Sequence, residues 1–145
     1  QPDGKIVVAG AANNGVNDDF ALARYNPDGS LDNTFGAAGK LVIDFSGNND
    51  VAYAVARQTN GKILVAGYAH NGSDLDFALA RYNLDGILDS TFGTLGKLVT
   101  DFTVEDASGE NINALALQPD GKIVAVGSIG PAVGTSFDFV IARYK

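Results

Sequence analysis

Apolar and polar positions along this chain fall into short runs, and the runs return at a regular spacing. Gln1–Gly10 comes back as Gln58–Gly67 and again as Gln118–Gly127. The units are 57, 60 and 28 residues long, which together account for all 145. Aligned without gaps, residues 1–45 and 58–102 are identical at 31 of 45 positions. A self-similarity of this period predicts a repeat architecture. Each unit holds runs rich in Val, Ile, Leu, Phe and Tyr, bounded by Gly, Asn, Asp and Pro. In the middle unit they are Ala52–Gln58, Lys62–Gly67, Asp76–Asn83 and Lys97–Phe102, and they read as strands. No 12-residue window free of Gly shows helical periodicity.

Turn chemistry and side-chain alternation refine this reading. Thr59-Asn60-Gly61 joins two runs of the middle unit, and Pro2-Asp3-Gly4 and Pro119-Asp120-Gly121 match it. Pro has its φ preset for an early turn position, and Gly supplies the positive φ of a tight hairpin. Within Asp19–Tyr25, Phe20, Leu22 and Arg24 share one face, and Ala21 and Ala23 share the other. Large residues opposite small ones suit a sheet buried on both sides. The expected fold is all-β: tandem four-stranded antiparallel blades of propeller type, about two and a half repeats of an incomplete propeller. Residues 1–51 are expected as a partial blade, 52–111 as a complete one and 112–145 as a second partial blade, with ten strands in all. Both termini fall inside a unit, which is expected of a piece cut from a longer array.

The motifs resemble a known family. Q-P-D-G-K-I-[VL]-V-A-G, D-F-A-L-A-R-Y-N-x-D-G-x-L-D-x-T-F-G and G-K-[LV]-V-x-D-F are similar to the bacterial delta-60 repeat, a propeller-type unit, over essentially the whole chain. The resemblance implies a large secreted or surface-associated bacterial protein, and it brings no catalytic or ligand residues. An extracellular or cell-surface location is the resulting expectation, although no signal-like segment opens the sequence.

Composition removes several chemistries. Seventeen acidic against ten basic residues give a net charge of −7 with no basic cluster, so nucleic acid is not an expected partner. There is no Cys and a single His, His70, which removes disulfides, thiolate chemistry and His-rich metal sites. No apolar run is long enough for a membrane-spanning helix, so membrane insertion is not expected.

Three sets of polar residues merit weighing. The loops Asn26–Asp32 and Asn83–Asp89 offer alternating Asp and Asn around a Gly, which is oxygen-rich in the manner of calcium sites. The 12-residue loop with its terminal Glu is absent, and a β-turn held by Asx hydrogen bonds is the preferred reading. If calcium binds, the candidates are Asp18, Asp19, Asp28, Asp32, Asp74, Asp76, Asp85 and Asp89; no other cofactor is expected. Arg24, Arg81 and Arg143 recur at one strand end, and a half-buried Arg beside Phe and Leu needs a partner. Asp44 and Asp101, also repeated, are the expected partners. A ligand ring around a channel is the alternative for these repeated charges.

His70, beside Ser73 and Asp74, lacks a nucleophile elbow and reads as a loop residue. The pairs Asp18/Asp19 and Asp74/Asp76 could serve as glycosidase acids, but loop Asp more often caps and solvates. The glycines precede strands and match no phosphate loop, and the repeated Phe and Tyr read as core.

No catalytic residue is therefore assigned. The expected function is a non-enzymatic scaffold or ligand-binding module for a protein or glycan. The variable segments Ala11–Asp18, Tyr68–Leu75, Thr103–Asn111 and Ser128–Phe137 would form its binding face. The alternative is a hydrolase or lyase acting on polysaccharide or ester from the inter-strand loops. Open sheet edges further predict self-association.

Overall fold

A computed structural model describes residues 1–102, 107–131 and 137–145. Parts of the variable segments Thr103–Asn111 and Ser128–Phe137 lie outside these residues. The described chain is all-β: β1 (Ile6–Asn13), β2 (Asp18–Tyr25), β3 (Lys40–Ile43), β4 (Asp50–Arg57), β5 (Ile63–His70), β6 (Leu75–Tyr82), β7 (Lys97–Thr100), β8 (Ala107–Leu117), β9 (Ile123–Pro131) and β10 (Asp138–Tyr144). They form three antiparallel sheets, β1-β2-β3, β4-β5-β6-β7 and β8-β9-β10, with every neighbour consecutive in sequence. Each is a blade of three or four strands, so the propeller-like architecture read from the repeat is the one observed.

The hairpins follow from their turn residues. Gly4, Gly61 and Gly121 donate to the carbonyls of Gln1, Gln58 and Gln118 and take φ of 78°, 89° and 86°. A side chain at these positions would be held in the left-handed region, which only Gly enters without cost.

Two glycines serve another purpose. β4 and β8 each carry a bulge at the same place, between Ala52 and Ala54 and between Ile112 and Ala114. Opposite each bulge the backbones come so close that a Cβ on Gly67 would lie 1.9 Å from the Val51 carbonyl oxygen. One on Gly127 would lie 1.8 Å from that of Asn111. Gly10, their counterpart on β1, faces open space.

The blades stack with a fixed polarity. Between the first and second, Phe20 and Leu22 pack on Ala78, Ala80 and Tyr82. Between the second and third, Phe77 and Leu79 pack with Ala125, Val140, Ala142 and Tyr144. The large-residue face of each blade thus meets the small-residue face of the next, and the two interdigitate. The outermost faces expose the two halves of this same joint. Blade one presents Ile6, Val8, Ala21, Ala23 and Val42, and blade three presents Phe139 and Ile141.

Candidate functional site at the blade junctions

The repeated charges divide between the two ends of the strands. At the C-terminal end of β2, Arg24 Nε donates to Asp32 Oδ2 at 2.6 Å, and Lys5 Nζ donates to the same oxygen at 2.8 Å. Arg24 Nη1 reaches the Leu84 carbonyl of the next unit, and the guanidinium lies 4.4 Å from the Phe35 ring centroid. The second unit repeats this, with Arg81 Nε to Asp89 at 2.7 Å, Lys62 Nζ to Asp89 at 2.6 Å and Phe92 beneath the guanidinium. Lys5, followed by the Thr34 hydroxyl and amide and by Arg24, holds the Asp32 carboxyl far below the usual carboxylate range. Burial pushes Asp89 up, but the bonds from Lys62, Thr91 and Arg81 outweigh it and leave that carboxyl equally low.

The expected pairing of Arg24 with Asp44, and of Arg81 with Asp101, is therefore corrected. Register explains why: Phe20 opposes Ile43, which sets Asp44 beside Asp19 at the far end of β2 from Arg24. The chain after β2 instead doubles back, Tyr25 bridging Leu31, and delivers Asp32 to Arg24. Arg143, in the third unit, is exposed; the bonds from Lys122 lower the Asp120 carboxyl against the opposing effect of burial, and the Arg143 charge adds to the lowering.

At the opposite end of the strands, carboxylates gather. Asp19 at the start of β2, Asp44 just after β3 and Asp50 at the start of β4 each offer an oxygen within 4.8 Å of the others. Asp76, Asp101 and Glu110 form the same cluster one unit later. Each cluster spans a crossover from one blade to the next. Asp19, Asp50, Asp76 and Glu110 are buried; Asp44 and Asp101 are exposed.

The bonding within each cluster is uneven. Asp50 Oδ2 accepts from the Phe45 amide at 2.7 Å and its Oδ1 from the His70 amide at 3.3 Å. Both Glu110 oxygens accept from the Phe102 amide. Asp19 Oδ2 and Asp76 Oδ2 accept from the Asn14 and Asn71 side chains. The other oxygens, Asp19 Oδ1 and Asp76 Oδ1, are sealed from solvent and accept no hydrogen bond.

Like charges at such separations repel by roughly 3–4 kcal/mol per pair at an effective dielectric of about 20. Burial accordingly pushes Asp50 up to about 6, with Asp44 and Asp19 adding to the rise. Burial likewise pushes Glu110 up to about 7, assisted by Asp101, Asp76 and Asp74. Asp76 is raised as well, chiefly by burial. A buried carboxylate missing a hydrogen bond, among neighbours that resist ionising, can take up either a proton or a cation.

The eight calcium candidates from the sequence thus separate. Asp19 and Asp76 belong to the two clusters. Asp32 and Asp89 are held by Arg and Lys, while Asp28 and Asp85 accept from the amides of Ser30 and Ile87 in their turns. Asp18 and Asp74 accept from Asn13 and Asn71 in the loops beside the clusters. Asp50 and Glu110 escaped the sequence reading. Both stand four residues before an aligned Ala, Ala54 and Ala114, but a three-residue insertion and an Asp-to-Glu change hide the match. His70, expected in a loop, is instead the last residue of β5, half-buried opposite Leu75, and its Nδ1 accepts from the Gly72 amide at 3.0 Å.

The repeat has a parallel among known protein families. A domain family described as a β-propeller of unknown function, DUF5122, matches residues 1–35, 58–92 and 118–145. The chain belongs to the DUF5122 β-propeller family. Those three matched segments begin at Gln1, Gln58 and Gln118, the starts of the three units read from the sequence. In each full unit the DUF5122 segment contains Asp19 and Arg24 or their equivalents and ends at Phe35 or Phe92, before the crossover that completes the acid cluster. No curated protein matches the chain.

Proposed function

We propose that this chain is a non-enzymatic scaffold module of a secreted or surface bacterial protein, extended by blade stacking and offering its inter-strand loops to a protein or glycan. The observation that supports it most is the polarity of the blades: each outer face carries one half of the joint that already operates twice inside the chain. A second copy can therefore dock head to tail, placing Phe139 and Ile141 on Ala21 and Ala23, in a heterologous contact that propagates. The variable loops at 14–17 and 71–74 keep the same backbone closure, Asn14 to Asn17 and Asn71 to Asp74, while Val16-Asn17 in one is Ser73-Asp74 in the other. That combination of fixed frame and free sequence suits recognition. Four of the six clustered carboxylates are sealed from solvent, a placement that suits an internal ion or proton better than a sugar ring.

Sedimentation velocity, paired with a screen against glycans and chromogenic esters, tests the proposal. The expected result is concentration-dependent association that Phe139→Asp weakens, together with binding but no turnover. A sharp monomer at all concentrations would remove the stacking, and turnover abolished by one loop Asp substitution would establish the hydrolase alternative.

A further inference from the structure

We propose that Asp19, Asp44 and Asp50, and one unit later Asp76, Asp101 and Glu110, each hold one divalent cation of calcium type at the crossover between blades. Three carboxylates with oxygens within 4.8 Å of one another form a hard, all-oxygen donor set. Such a set selects calcium or magnesium over metals that favour nitrogen and sulfur. The unpaired oxygens point independently to a ligand. Asp19 Oδ1 and Asp76 Oδ1 belong to residues 97% removed from solvent, each only 3% exposed, and meet no donor. An oxygen so placed loses its hydration and gains nothing in return unless an ion supplies it.

The same arrangement occurs at both junctions, although Glu110 is one methylene longer than Asp50 and its approach is three residues longer. On the first trio, Lys97 donates to the Asp44 main-chain carbonyl and lies 5.5 Å from the Phe45 ring centroid. Asp50 and Glu110 also hold the amides of Phe45 and Phe102, so an ion bound to them ties the end of one blade to the first strand of the next. Asp138, the third copy of Asp19, is exposed on β10, and the expected stoichiometry is two ions per chain.

Calorimetric titration of the EDTA-treated chain with calcium chloride, with thermal melts in EDTA and in calcium, tests this. Two ions per chain are expected, with a melting temperature raised by calcium and not by sodium chloride of equal ionic strength. Asp19→Asn and Asp76→Asn should each leave one ion, and the double variant none, with the β-sheet far-ultraviolet spectrum retained. Should either variant fail to fold, Asp44→Asn and Asp101→Asn, at the exposed members, give the same count. Absence of heat and of a calcium-specific melting shift would overturn the proposal, leaving a shared proton as the occupant. Undiminished stoichiometry in the double variant would overturn it by placing the ions elsewhere.

Discussion

The first and second blades carry the same seven residues, Asp-Phe-Ala-Leu-Ala-Arg-Tyr, at 19–25 and 76–82, and the two copies live in different surroundings. In the second blade Phe77, Ala78, Leu79 and Ala80 are all fully buried. In the first, Phe20 and Leu22 are buried while Ala21 and Ala23 stay half-open. Identical sequence therefore sustains different burial, and the neighbouring blade decides which. Stability in such an array is assigned less to a residue than to the joint that covers it. The molecule supplies its own controls for testing that statement.

The largest contrast is expected at the bulge-facing glycines. Gly67→Ala drives a methyl into the Val51 carbonyl, a clash with backbone that no rotamer relieves, and should cost at least about 3 kcal/mol. Gly10→Ala at the equivalent place has nothing within 4 Å and should change stability by less than about 0.5 kcal/mol. Urea unfolding of the two variants reads this directly, and equal losses would break the comparison.

A smaller contrast is expected between the arginines. Arg24 is nearly buried and bonds across to Leu84 of the next unit, whereas the Arg81 side chain is 16% exposed. Both substitutions to Ala strip a cation from a buried carboxylate, Asp32 or Asp89, which remains held by Lys5 or Lys62. Arg24→Ala should cost about 3 kcal/mol, at the low end for a broken buried pair, and Arg81→Ala about 2. An unchanged melting temperature for Arg81→Ala would remove its structural role.

The smallest contrast is one of pH. Asp32 and Asp89 have folded pKa values held below the ordinary 3.8. The unfolded chain thus binds more protons as pH falls through 3.8, so their stabilisation is whole above that value and is lost beneath it. The expected outcome is that Asp32→Asn and Asp89→Asn each lose less stability than the parent chain between pH 5 and pH 2. Because the two carboxyls are held equally low, the flattening should be alike in the two variants. Thermal melts across that range measure it, and curves parallel to the parent would count against either ion pair.

Much of this architecture was legible in the chain because strand signals are local. The turn residues and the apolar runs between them place the four strands of the second blade, β4 to β7, to within three residues. The opposition of large and small faces likewise foretold burial on both sides. The site was less legible. Arg24 finds Asp32 only because the Leu31 bridge folds the turn back on itself, a contact that strand alternation does not encode. The acid clusters draw on residues from two blades, and the third member, Asp50 or Glu110, arrives on the next sheet across a crossover of altered length. Of the cluster residues, only Asp19 and Asp76 stood among the metal candidates in the sequence, while Asp44 and Asp101 had been assigned to the arginines.

The polarity of the blade joint has a consequence for how such a chain can change over generations. Every unit brings both sides of its own seam, a bulky one and a slender one. Recombination out of phase between two copies therefore yields a longer or shorter series in which each seam is still properly mated. Length can drift freely, whereas an inverted copy would set bulk against bulk and be discarded. Direction, and not number, is what such a lineage has to keep.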